Sequence, residues 1–347
     1  MKKGFMKAGR LHAFGEAISV DEVPIPSEIG ARNVLVRVKA CGICHTDLSM
    51  INGALPPPRL PAILGHEPAG IIEAVGKEVK ELKAGDRVFV NSVISCGHCR
   101  YCVAAQWNLC INPSNLGFDW GGGWAAYMEA PAFNCCLLPE EISFEEGAIM
   151  TDAVATTFHA MKRGEVKIGD SVAIFGIGGL GINAIQMAKA FGAAKVIAVD
   201  RKEAKRELAL AVGADEAVDM DAPDVVKQVK RLSGGEGVDV AFEFVGIDSA
   251  IEKTIESVRR SGKAVIVGVY TGTFKVSAHP LIVKEIDIRG LWTVCQQDFP
   301  YVAELVRSGK IDLSRSITHR IPLDEVNRGL EILEQKIGNP LRIVIIP

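Results

Sequence analysis

Residues 171–181 read SVAIFGIGGLG. An apolar run of strand character ends in a Gly-x-Gly-x-x-Gly turn at Gly176, Gly178 and Gly181, and helical spacing follows. Gly176 permits a tight turn, Gly178 lets a pyrophosphate approach the main chain, and Gly181 lets helix and strand pack closely. The free N–H groups and dipole at the helix start favour phosphate. Alone, the pattern also describes a Gly-rich turn in an unrelated α/β protein, so context decides. The next strand ends VIAVD, and Asp200 lies nineteen residues past Gly181. An acid there accepts hydrogen bonds from both ribose hydroxyls and repels a 2′-phosphate, which favours NAD over NADP. Arg201 and Lys202 follow directly and leave some NADP tolerance open.

Around this junction the chain alternates strands and helices. Ser171–Phe175, Lys195–Asp200, Glu216–Asp219, Val238–Phe244, Lys263–Val269 and Glu285–Gly290 read as strands. Between the first two, Leu180, Ala184, Met187, Ala188 and Phe191 fall roughly on one helical face. Repeated βα units imply a doubly wound parallel sheet. Before residue 150 the pattern is different: Val34–Ala40, Ala69–Val75 and Arg87–Asn91 read as strands among Gly- and Pro-rich turns, with PPPRLP (56–61) a loop. The last ~55 residues break the βα rhythm with one or two helices and the apolar strand Arg342–Ile346, and are expected to return to the first domain.

The chain has nine Cys, four of them within fifteen residues as Cys96-x2-Cys99-x2-Cys102-x7-Cys110. A disulfide framework spreads its Cys through a short secreted chain, whereas clustering in a long chain points to metal. Short x2 spacings let one loop wrap a tetrahedral zinc, and four thiolates close the site to water, which makes it structural. An iron–sulfur cluster is the rival reading. A second group is Cys44-His45-Thr46-Asp47 followed by Gly65-His66-Glu67, and Asp152 stands where the β pattern gives way to βα units. Cys44 and His66 suit zinc, and a catalytic zinc keeps three protein ligands and one open position. Taken singly, Cys44 also reads as a core thiol and His66 as a loop histidine.

Together these motifs resemble the zinc-dependent medium-chain alcohol dehydrogenases over essentially the whole chain. GHEPAGIIEAVGKEV (65–79) is similar to that family's zinc signature and CGICHTD (41–47) to its first ligand loop, with the Cys lobe and GIGGLG in the family's order. The resemblance implies a GroES-like β-rich catalytic domain (1–153 and 295–347, with a structural zinc lobe at about 94–112) and a Rossmann NAD-binding domain (154–294). It implies that Cys44, His66 and Asp152 bind a catalytic zinc, with Glu67 a nearby carboxylate able to approach the metal. Asp47 would orient His66, and Cys41 would be a structural bystander. Thr46 would take the alcohol's proton toward the cofactor ribose. Ser49 stands where some members end that relay with His, so another group or water would finish it. His45 and Arg342 would meet the pyrophosphate and Lys205 the adenosine ribose. Thr156, Gly179, Leu180, Gly268 and Val269 would also line the cofactor. For Lys205 and Arg342 the alternative is a solvated surface charge. Phe118, Trp120 and Trp292 are candidates for an apolar substrate wall, or are core aromatics.

The expected activity is hydride transfer between a primary or secondary alcohol and NAD, giving an aldehyde or ketone, with two zinc ions per chain. A polyol, threonine or acyl-CoA-linked dehydrogenase on the same scaffold is the alternative. A zinc-free quinone or enone reductase is disfavoured by the ligand set and Asp200, and a non-catalytic zinc- and NAD-binding protein by Thr46. The net charge of −3 and the absence of Lys/Arg runs argue against nucleic acid. No apolar stretch approaches a membrane span. Lys7 and Arg10 interrupt any signal-peptide core after the basic start, so a cytoplasmic, homo-oligomeric enzyme, dimer or tetramer, is expected.

Overall fold

A computed structural model describes residues 4–55 and 59–347, so the first half of the PPPRLP segment lies outside the described residues. The chain forms two compact units: residues 1–152 with 295–307 and 313–347, and residues 153–294 with 308–312.

The second unit is built on six parallel strands. In spatial order they are Glu216–Asp219, Lys195–Asp200, Ser171–Phe175, Val238–Glu243, Val258–Ile266 and Asp287–Gly290. The strand order reverses beside Ser171–Phe175, and ligands of such sheets bind outside the carboxyl ends of the strands at that point. Central strands covered on both faces read as unbroken apolar runs, and Val172–Phe175 and Val196–Val199 are buried throughout. The helix after the Gly-rich turn, Gly181–Ala190, departs from the expected one-sided pattern. All its residues from Gly181 to Ala188 are buried, because it packs on both the sheet and the helix Ala155–Gly164. Leu180 and Phe191, expected on its apolar face, are its two cap residues. Several strand ends also move: Val238–Glu243 ends one residue early, and Val258–Ile266 starts five residues before Lys263. Val258–Ile266 stops short of Val269 because the Val267 and Gly268 N–H groups turn to the Glu243 carbonyl. Asp287–Gly290 starts two residues late because Glu285, at φ +52°, caps the helix Ala278–Lys284.

In the first unit, the main sheet runs Cys135–Leu137, Arg87–Val90, Glu67–Val75, Asn33–Ile43, Arg342–Ile346, Ile317–Pro322, with Tyr127–Pro131 also on Asn33–Ile43. A smaller sheet joins Ser19–Pro24, Phe5–Leu11 and Ala62–Ile63. The C-terminal segment holds two helices, Phe299–Arg307 and Val326–Gln335, and the strand Ile317–Pro322 that the sequence pattern did not suggest. Arg342–Ile346 pairs antiparallel with Asn33–Ile43, with Ile343 opposite Ile43 and Ile345 opposite Cys41. The last strand thus lies beside the segment that leads into Cys44. Among the described residues, no helix is long and apolar enough to cross a membrane.

Candidate metal and cofactor sites

Strand Asn33–Ile43 ends at Cys44, the N-cap of the short helix His45–Ile51. The third helical residue, Asp47, folds back so that its Oδ2 accepts the Cys44 N–H at 2.8 Å. Its Oδ1 lies 2.9 Å from His66 Nδ1. Asp47 and His66 are both buried, so the imidazole donates from Nδ1 and leaves Nε2 as the free donor atom for a metal. Burial opposes a charge on His66, but the Asp47 carboxylate outweighs it and holds the ring's pKa above the ordinary value. Glu67 opens the next strand, with its Oε1 3.9 Å from His66 Nε2. Gly42 is what makes room for Glu67, since a Cβ there would overlap the Glu67 carboxylate.

Asp152 arrives on a π-helical turn, Met150–Val154, a widening that often marks functional positions. Its Oδ2 lies 3.6 Å from Cys44 Sγ. Thr46 Oγ1 lies 3.6 Å from the same sulfur. The donor atoms of Cys44, His66, Glu67 and Asp152 all fall within 4.8 Å of one another. One sulfur, one imidazole nitrogen and carboxylate oxygens form a donor set that suits zinc and can leave a position open. Glu67 Oε2, buried with no hydrogen-bond partner among the described residues, adds an acceptor that a metal would satisfy.

Of the two sequence readings of Arg342, a pyrophosphate contact and a solvated charge, the structure removes the second. Arg342 is 3% exposed. Its Nη1 donates to Glu67 Oε1 at 2.6 Å and its Nη2 to Asp152 Oδ2 at 3.0 Å. Burial pushes the Glu67 carboxyl up to about 7 despite the neighbouring Arg342 charge. This ion-pair network was not visible in sequence, because it depends on the register of two strands about 300 residues apart.

The Cys lobe is a separate donor set. The Sγ atoms of Cys96, Cys99, Cys102 and Cys110 lie within 4.8 Å of one another, and none forms a disulfide. A tetrahedron of thiolates at about 2.3 Å from zinc has edges of about 3.8 Å. The sulfurs of Cys96 and Cys102 are 3.9 Å apart and those of Cys99 and Cys102 3.5 Å. Four sulfurs converging on one point fit a single ion, whereas a multi-iron cluster would hold them apart around several metals. The Cys96 N–H donates to Cys110 Sγ at 3.2 Å. The Cys99 thiol is drawn down to about 6, first by the Cys102 N–H and then by that of Ile111. Main-chain donors aimed at sulfur favour thiolates, the form that binds metal.

In the second unit the Gly-rich turn has the geometry its glycines suggest. Gly176 has φ +91°, and a Cβ on it would stand 2.5 Å from Val245 Cγ2. A Cβ on Gly181 would run into the Gly176 carbonyl, whereas one on Gly178 would meet nothing within 4 Å. That open space above Gly178 is the cradle a pyrophosphate needs. Asp200 is held by the Ile177 N–H on Oδ2 at 2.7 Å and the Lys202 N–H on Oδ1 at 2.9 Å, with lone pairs left over for ribose hydroxyls. Lys205 is buried rather than a solvated charge, and Thr156 is buried on the helix Ala155–Gly164. Gly179 and Leu180 complete the turn, and Gly268 with Val269, 58% exposed, follows the next strand but one.

The aromatic candidates separate. Phe118 meets His66 edge-on with ring centroids 5.7 Å apart, and Trp120 packs half-buried on the first unit's core. Trp292 belongs to the second unit and is 56% exposed, so it is no core residue. In the first unit His45 is exposed and Ser49 half-buried, while Cys41 is buried in the strand, where burial pushes its thiol well up. Sequence reasoning passed over Glu243, a fully buried acid at the end of Val238–Glu243. Its one signal was a charge inside the apolar run VAFEFV.

Residues 30–140 match the alcohol dehydrogenase GroES-like domain and residues 179–308 the zinc-binding dehydrogenase family. An alcohol dehydrogenase of Geobacillus stearothermophilus is 38% identical over 324 residues, covering 93% of this chain and 94% of that protein. The sorbitol dehydrogenase of Bacillus subtilis is 33% identical, covering 99% of this chain and 97% of the other. Alcohol dehydrogenase TADH from Thermus sp. ATN1 superposes with a TM-score of 0.92 at 30% identity, covering 98% of this chain and 99% of that one. Glycine turn, two metal-donor sets, fold and relatives agree: the chain belongs to the zinc-dependent medium-chain alcohol dehydrogenase family.

Proposed function

We propose that the protein oxidises a primary or secondary alcohol to an aldehyde or ketone with NAD, using one catalytic and one structural zinc per chain. The observation that carries this reading is the convergence of Cys44, His66 and Asp152 donors, with the His66 tautomer fixed by Asp47. A zinc held by Cys44, His66 and Asp152 would supply Lewis-acid polarisation of the alcohol oxygen, and NAD bound at the Gly-rich turn would supply the hydride acceptor. The chain's own groups do the rest. The Thr46 hydroxyl, beside Cys44, receives the alcohol proton, since a hydroxyl both accepts and donates. Arg342 offsets the charge of Glu67 and Asp152, which keeps two carboxylates tolerable in a buried setting. Phe118 excludes water beside His66. Cys96, Cys99, Cys102 and Cys110 hold the structural ion and brace the lobe.

The test is a panel of primary, secondary and polyhydroxylated alcohols with NAD, followed by NADH absorbance, alongside metal analysis. Two zinc ions per chain and reduction by one alcohol class are expected; one or no zinc would refute the two-site reading. The likeness to a sorbitol dehydrogenase favours polyols as the second reading. Reduction confined to polyols would select it. We further place the enzyme in the cytoplasm as a homo-oligomer. Strand Asp287–Gly290 is the last in its sheet's order, with Ile282, Val283 and Trp292 exposed nearby, which supports pairing with a second copy. A monomer in sedimentation would refute that.

A further inference from the structure

The carboxyl edge of the parallel sheet contains a buried acid that forms no ion pair among the described residues. Glu243 Oε1 accepts the N–H groups of Val245 at 2.6 Å and Gly246 at 2.7 Å. Its main-chain oxygen accepts those of Val267 and Gly268, each at 3.0 Å. One residue therefore ties together the turns that follow two neighbouring strands.

The turns also touch. A Cβ on Gly268 would stand 2.8 Å from both Glu243 Oε2 and Gly246 Cα. Gly246 has φ +75°, and a Cβ there would be 2.6 Å from the Val269 carbonyl oxygen. On the other side the Phe244 N–H bonds the Phe175 carbonyl at 2.9 Å, and Val245 fills the space beside Gly176. The Gly-rich turn, the 244–246 turn and the 267–269 turn form one block with Glu243 at its centre. Oε2 has no hydrogen-bond partner among the described residues, and burial pushes the carboxyl above its ordinary range. An apolar residue would avoid that cost but would leave two buried N–H groups unsatisfied.

We propose that Glu243 is a positioning residue for the nicotinamide end of the cofactor: by accepting the Val245 and Gly246 N–H groups its side chain fixes the 244–246 turn, on which the 267–269 turn packs on one side and the Gly-rich turn on the other. The inference rests on the NAD-linked reading, with Gly268 and Val269 at the cofactor. The adenosine end depends on other groups, since Asp200 is held by Ile177 and Lys202. That division supplies a readout that general loosening of the fold would not give.

The experiment is calorimetric titration of NADH and of ADP-ribose, which lacks only the nicotinamide, into the zinc-loaded wild type, E243A and E243Q. E243A, with two N–H groups orphaned, is expected to weaken NADH about tenfold or more and ADP-ribose less than about twofold. E243Q, whose amide oxygen accepts the same bonds, is expected to keep NADH affinity within about threefold. Equal weakening of both ligands by E243A, or of neither, overturns the proposal, as does E243Q losing as much as E243A. If E243A does not fold, E243D carries the test, because its shorter side chain cannot reach the Val245 and Gly246 N–H groups as Glu243 does; the same selective loss is expected, and an equal or absent loss overturns it. A wild type that binds neither ligand refutes the NAD reading itself, and the assignment with it.

Discussion

Two single-methyl substitutions in the Gly-rich turn separate packing from cofactor binding. In G181A the new Cβ would stand 2.9 Å from the Gly176 carbonyl carbon, with the carbonyl oxygen closer still. Non-bonded carbons settle at about 3.5–4.0 Å, so the turn must open by roughly 1 Å. Overpacking of this kind costs about 1–3 kcal/mol, which for a unit of this size lowers the unfolding midpoint by roughly 3–10 °C. The same displacement moves the N–H groups that cradle phosphate, and a misplacement of about 1 Å weakens a preorganised contact by up to about 10²-fold. G178A differs, because nothing lies within 4 Å of its Cβ and its φ is ordinary. Its stability should equal that of the wild type, while the methyl occupies the space for pyrophosphate and weakens NADH about tenfold or more. Thermal unfolding without ligand and NADH fluorescence titration read both effects. If G178A bound NADH as the wild type does, or G181A kept both its midpoint and its affinity, the turn would not be the phosphate cradle described above.

Three further outcomes are expected. C44S should cut turnover by more than the roughly 10–100-fold typical when a ligand's hydrogen-bonding partner is lost, at an unchanged melting temperature, whereas C99S should chiefly lower that temperature; full activity in C44S would remove Cys44 from the catalytic set. R342M strands two carboxylates, one fully buried, and should cost about 3–5 kcal/mol in urea unfolding, and an unchanged midpoint would mean the network contributes nothing. The Asp239 pKa is depressed: burial pushes it up, but the Ser171 N–H and hydroxyl and then Arg259 outweigh that. A depressed folded pKa gives stability that is complete above the unfolded value and lost as pH falls through the folded one. The gap between wild type and D239N should therefore narrow as pH is lowered below about 4, and a constant gap would contradict the assignment.

The parallel sheet was legible because buried strands such as VAIF and VIAV announce themselves locally and their glycine turns punctuate them. The donor sets were legible for a similar reason: the Cys lobe is one loop, and Cys44 and His66 head short distinctive runs. Asp152 heads no such run: its place where the β pattern gives way to βα units was the one local hint, and its role as a ligand came from the resemblance. What stayed hidden depends on distant pairing. The strands Phe5–Leu11 and Ser19–Pro24 mix exposed and buried positions, and Ser19–Pro24 has none fully buried, so their periodicity is weak. Arg342 read as a pyrophosphate contact or a surface charge because nothing nearby in sequence shows that its neighbours across the sheet lead to two acids. Glu243 looked like an interruption in a strand, and its meaning lies in the main-chain groups around it.

The insertion of Arg342–Ile346 beside Asn33–Ile43 bears on how the molecule is made. Synthesis at about 5–20 residues per second separates Ile43 from its partner Ile343 by roughly 15–60 s. During that interval the six parallel strands, contiguous between residues 171 and 290, can emerge and fold, while the first sheet waits for its last two strands, Ile317–Pro322 and Arg342–Ile346. Glu67 and Asp152 leave the ribosome long before the guanidinium that offsets them. A nascent chain that captures zinc early therefore does so at a more negative site than the finished enzyme presents, and the arrival of the last strand sets the final charge around the metal.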